Sequence, residues 1–116
     1  MDLDLTVLKH VVDIIEDKKG FQTVVLDLRE ISLITDYFLI VTGHSTTQVK
    51  AITEHIAEKL PALGMPILRV EGLPEAQWVL IDCGDLVFHV MTPDNREFYH
   101  LERLWGDAKI VMLEAV

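Results

Sequence analysis

The sequence predicts an α/β layered domain, in which a mixed sheet of about five strands carries flanking helices. Three observations predict it. Two long segments place apolar residues at helical spacing, several shorter segments read as strands, and the run Tyr37-Phe38-Leu39-Ile40-Val41 is apolar on both faces. An all-apolar run of that length is expected of a central strand covered on two sides. The 116 residues suit one domain, 1–116, with a single core.

Asp2 and Asp4 precede an apolar series at Leu5, Leu8, Val12 and Ile15, and Lys18, Lys19 and Gly20 follow it. Acidic residues before a helix and basic residues plus glycine after it complement its dipole and its end, so a first helix is expected from about Asp4 to Lys19. Thr23 to Leu28 alternates, with Val24, Leu26 and Leu28 on one face and Val25 and Asp27 on the other, as a strand does. After the connection Arg29 to Thr35 comes the central strand, which Gly43 ends. Ser45 with Gln48 three residues later forms a capping box, whose side chains satisfy free amides at a helix start. The second helix then buries Val49, Ile52, Ile56, Leu60 and Leu63, and Gly64 stops it.

Ile67 to Val70 reads as a short strand, and Glu71 to Gln77 as a loop broken by Gly72 and Pro74. Trp78 to Asp82 and Leu86 to Met91 form a hairpin around Cys83-Gly84-Asp85, supplying strands four and five. Pro93-Asp94-Asn95 makes a turn or helix start, and Phe98 to Trp105 reads as a short helix closed by Gly106. The pattern leaves the strand order open.

Lys and Arg total 10 against 19 Asp and Glu, a formal charge of -9. Such a surface repels phosphate backbones, so little direct nucleic-acid binding is expected and a basic protein or cationic ligand is the favoured partner. The lone cysteine, Cys83, has no intramolecular partner, and Met-Asp-Leu-Asp does not resemble a secretion signal. Apolar runs fall well short of the roughly 20 residues that span a membrane. A soluble protein of a reducing cytoplasm is expected.

The hairpin WVLIDCGDLVFH sets two carboxylates, Asp82 and Asp85, beside the large ring of Trp78. Two carboxylates without a third ligand make a weak cation site, and Asp is equally suited to turn geometry, so no metal is assigned. Gly43-His44-Ser45 lacks the further glycines and the lysine of a phosphate loop and reads as a cap. His44 and Ser45 are chain neighbours without a third group, His89 reads as a strand residue, and Cys83 lacks an activating partner. No catalytic residue and no cofactor is assigned. Trp78 follows a polar loop and is balanced between core and interface, whereas Trp105 reads as core beside Leu101 and Leu104.

Through nearly its whole length the chain resembles the ribosomal silencing factor family, also called Iojap-like. The resemblance rests on Asp36-Tyr37-Phe38 leading to Thr42-Gly43, Ser45-x-x-Gln48 with Lys50-Ala51, Glu71-Gly72, and Trp78-Val79-Leu80 with Asp82-x-Gly84-Asp85. It continues through His89-Val90 and Arg96-x-Phe98-Tyr99-x-Leu101-Glu102-x-Leu104-Trp105-x-Asp107-Ala108. His44 and Cys83 depart from the family pattern. The resemblance implies a nucleotidyltransferase-like topology without enzymatic activity. It also implies a factor that binds the large ribosomal subunit through its fourteenth protein, blocks association with the small subunit and represses translation in starvation or stationary phase.

A start at the first helix without a transit extension fits a bacterial member. An acidic protein on an RNA-rich particle would have to dock on a basic protein patch. The expected contact surface is Trp78, Asp82, Asp85 and His89 on the hairpin, with Tyr99, Glu102 and Asp107 on the terminal helix. Two other classes compete. A nucleotidyltransferase-like enzyme would share the Gly43-x-Ser45 turn but needs an Asp-x-Asp or Asp-x-Glu metal pair, which the helix from Gln48 to Leu60 lacks. A dimerisation adaptor is the other, and a homodimer is compatible with every residue.

Overall fold

In the computed structural model, which describes residues 4–99 and 109–111, helix α1 spans Leu5–Asp17. Asp4 caps it by accepting the Val7 amide at 2.9 Å. The helix ends earlier than its sequence pattern suggests, because Lys19, rather than Gly20, takes the left-handed conformation that ends it (φ 64°). Gly20 serves a different purpose. A Cβ there would sit 2.6 Å from Ile15 and 2.8 Å from Val41, so its lack of a side chain lets the helix end lie against the sheet.

Strand β1 (Phe21–Asp27) runs antiparallel to β2 (Tyr37–Thr42), with a register irregularity between Phe21 and Val24. Helix α2 (Thr46–Lys59) returns over the sheet. Its start keeps the serine half of the expected capping box, Ser45 Oγ accepting the Gln48 amide at 3.2 Å, while Gln48 Oε1 reaches one residue further back and accepts the amide of His44 at 2.6 Å. Gln48 also donates to the carbonyls of Lys18 and Lys19, tying the start of α2 to the end of α1. Val49, Ile52, Ile56 and Leu60 are fully buried, while Leu63 is only partly so. Pro61 ends the regular helix, and Leu60–Leu63 tightens into a 3-10 turn before Gly64.

Three further strands follow: β3 (Arg69–Glu71), β4 (Trp78–Asp82) and β5 (Leu86–Met91). β3 lies later than the expected Ile67 to Val70, because Ile67 packs against the core instead of joining the ladder. Helix α3 covers Pro93–Tyr99. The rest of the expected terminal helix, with Glu102 and Asp107, lies outside the described residues. A short strand β6 (Lys109–Ile110), absent from the sequence expectation, pairs antiparallel with β1 at Leu26 and Asp27. Among the described residues the sheet therefore has six strands rather than about five, in the order β3-β4-β5-β2-β1-β6. It is mixed. β2 and β5 pair in parallel at its centre, and the other pairs are antiparallel.

One sheet face packs beneath α1 and α2, joining Leu8, Val11 and Ile15 to Val49, Ile52 and Ile56 over Leu39, Val41, Ile81 and Phe88. The opposite face holds a smaller cluster, Leu26, Leu28, Ile40 and Met91, with Val24, Phe38 and Trp78 partly buried against it. This alternation follows from the strand period of two. No described helix is long and apolar enough to cross a membrane.

Candidate docking face

The register Trp78↔Met91, Leu80↔His89 and Asp82↔Val87 sets these six side chains on one face of the hairpin, opposite the helices. Trp78 reaches that face because the preceding loop is drawn tightly under it. Gly72 adopts φ 85°, and a Cβ on it would stand 2.2 Å from the Trp78 carbonyl oxygen, so only glycine fits. Ala76 donates to the Gly72 carbonyl at 2.9 Å, and Thr92 donates to the Gln77 carbonyl at 3.0 Å. The loop thus delivers the ring at a fixed height.

The ring is then oriented by His89. Trp78 Nε1–H donates to His89 Nδ1 at 3.0 Å, which leaves the proton of the neutral imidazole on Nε2. Phe38 meets the same imidazole edge-on at 4.5 Å between centroids. His89 is 4% exposed, and burial pulls its pKa down to about 4, so the imidazole is neutral at pH 7. It therefore acts on this face by holding Trp78, whose ring stays half-buried.

Asp82 builds the turn. Its Oδ1 accepts the Gly84 amide at 2.9 Å and its Oδ2 lies 3.6 Å from Arg69 Nε on β3. Gly84 takes φ 85°, and Cys83 closes the turn by donating to the Leu86 carbonyl at 2.9 Å. Asp85 is exposed, and its carbonyl oxygen accepts the amides of Asp36 and Tyr37 at 3.1 and 3.0 Å, fastening the hairpin tip to the start of β2. Burial, with the Asp82 carboxylate beside it, pushes the Cys83 thiol up to about 11, which keeps it protonated and unreactive.

The structure thus brings Trp78, Asp82 and His89 onto one face, with Asp85 at its tip. Tyr99 closes α3, and Glu102 and Asp107 lie outside the described residues. His44, read as part of a cap, stacks on Phe21 at 4.1 Å. Among the described residues, no group of three or more His, Cys, Asp and Glu side chains could hold a metal ion. A neighbouring feature lies outside the surface expected from the sequence: Leu33 and Ile34, in the connection before β2, are 105% and 91% exposed. Two adjacent aliphatic residues in a loop were the available signal.

Known proteins of similar sequence and structure include ribosomal silencing factors. The family model described as "Ribosomal silencing factor during starvation" matches residues 4–116. A ribosomal silencing factor from Halalkalibacterium halodurans is 48% identical over 109 residues, covering 94% of this chain and 93% of its relative. A mouse protein named for mitochondrial assembly of the ribosomal large subunit is 36% identical over 74 residues, 61% of this chain and 32% of its own length. A crystal structure from Bacillus halodurans superposes with a TM-score of 0.82 at 41% identity, covering 94% of this chain and 99% of that one.

Proposed function

Because this chain belongs to the ribosomal silencing factor family, we propose that it binds the large ribosomal subunit through that subunit's fourteenth protein and sterically blocks joining of the small subunit. In this reading it represses translation in the cytoplasm during starvation or stationary phase, and consumes no nucleotide.

The observation that carries the reading is the half-exposed Trp78, locked by His89 on the hairpin face whose far end carries the acidic turn of Asp82 and Asp85, on a chain of net charge -9. A rigid aromatic ring that shares one face with carboxylates suits a basic protein surface, because the ring loses little freedom on binding while the charges orient approach. The same net charge disfavours direct contact with rRNA. The start of α2, where a nucleotidyltransferase would bind phosphate, is already occupied by the capping bonds of Ser45 and Gln48.

The test is subunit joining followed by light scattering, with purified protein added to free large subunits before small subunits are supplied. Joining should fall with increasing protein and without nucleotide. Full joining at saturating protein would reject the proposal, as would nucleotide transfer abolished by Asp82→Asn or Asp85→Asn.

A further inference from the structure

Beside the Trp78 face lies an apolar cavity of about 380 Å³ whose walls include Ile34, Phe38, Leu68, Leu80, Val87 and His89. Ile34 and Leu68 are 91% and 63% exposed at its margin, and Leu33 projects fully into solvent next to Ile34. A contiguous set of exposed aliphatic side chains is costly in water and marks a contact surface.

The loop that presents Leu33 and Ile34 is braced along its length. The amides of Ile31 and Ser32 donate to the Leu28 carbonyl at 3.0 and 2.8 Å, and Ser32 Oγ accepts the amides of Ile34 and Thr35 at 3.1 and 3.4 Å. At its far end the Asp36 and Tyr37 amides are held by the Asp85 carbonyl, so loop and hairpin tip form one unit. Arg29 grips Asp27 with two side-chain bonds at 3.0 and 2.8 Å at the near end. Such a loop needs little ordering when it binds, which favours association.

We infer that Leu33 and Ile34 are a second anchor of the docking surface, seated against a basic protein partner that places an aliphatic side chain in the adjoining cavity. The inference rests on the functional reading above and extends it from the hairpin to the loop before β2, which shares the cavity with Leu80, Asp82, Val87 and His89. Charge selects the partner. Asp36 and Asp85 stand exposed where loop and hairpin meet, and two copies of a chain of net charge -9 repel each other, whereas a basic protein is drawn in.

The experiment measures co-sedimentation of the full chain with isolated large ribosomal subunits over a range of subunit concentrations, together with self-association by sedimentation velocity. The double variant Leu33→Ser with Ile34→Ser is compared with wild type and with Leu5→Ser, which removes an exposed leucine from α1. Circular dichroism establishes that each variant is folded, and Leu33→Ser alone provides a milder second reading. The double variant should bind about tenfold more weakly or worse, as loss of an apolar anchor implies, while Leu5→Ser binds as wild type does. Equal binding by wild type and double variant overturns this inference and leaves the functional reading standing. A double variant that lowers self-association but binds subunits normally also overturns it, assigning the patch to a second copy. Absence of binding by wild type itself overturns both.

Discussion

The two faces of the sheet are built from the same strands but treat burial differently. Beneath α1 and α2 every large side chain of the central strands is sealed among aliphatic and aromatic neighbours, with Leu39, Ile81 and Phe88 at 0% exposure. On the opposite face the buried cluster is small, and beside it lie a buried imidazole, a half-exposed indole and an apolar cavity. One face holds the fold together, and under the proposed function the other offers shaped surface to a partner. Stability and recognition can be divided in this way because residues of a strand alternate between faces, so either set can change without moving the other.

The comparison implies that a truncation on the helix-covered face acts on stability first. Phe88→Ala should lower unfolding stability by about 3–5 kcal/mol, the range for deletion of a buried aromatic ring, measured by urea denaturation. A loss below about 1 kcal/mol would show that this face collapses readily around the cavity and is less tightly packed than described.

His89 sharpens the contrast, since it is the titratable group buried on the docking face. Its folded-state pKa is depressed to about 4 from 6.5, so the unfolded chain takes up a proton before the folded one does. Stability from this group is therefore complete above pH 6.5 and is lost as pH falls through the interval down to 4. The loss should reach roughly 3 kcal/mol, superimposed on carboxylate titration. His89→Gln should remove that part of the pH slope, and denaturation curves at pH 7 and pH 4.5 check it. An unchanged slope in the variant would mean that the imidazole titrates normally.

Trp78→Ala tests the docking face itself. Binding to large subunits should weaken by about 2 kcal/mol or more, as for an aromatic anchor, while the thermal transition remains cooperative. Collapse of stability, with normal binding by the folded fraction, would move Trp78 from recognition to core.

The smallest effect belongs to the exposed charges. Association should slow as salt rises and the Debye length falls from about 10 Å at 0.1 M to about 3 Å at 1 M. Asp85→Asn should flatten that dependence while costing less than about 1 kcal/mol in affinity. Glu58→Gln, an exposed site on α2, should leave it unchanged in stopped-flow measurements. Equal flattening by both substitutions would place the contact on the helical side.

What the sequence determined by itself is local. The capping box at Ser45 and Gln48, the two-sided burial of Tyr37–Thr42, the alternation of Val24 to Leu28 and the hairpin around Gly84 all arise from neighbours a few residues apart. Such signals are written in spacing, because helix and strand periods and cap geometry act over one or two turns of chain. The family resemblance added the class of partner, through motifs whose order no single element carries. Tertiary structure decided what depends on distant segments meeting. β2 pairs in parallel with β5, far along the chain, and β6 is too short to show a period and exists only through pairing with β1. His89 finds the Trp78 indole only through the hairpin register, and Ile34 joins Leu68 and Leu80 around one cavity only because β2 and β4 flank β5. Each depends on long-range register and on the relative placement of whole strands, which local periodicity leaves unspecified.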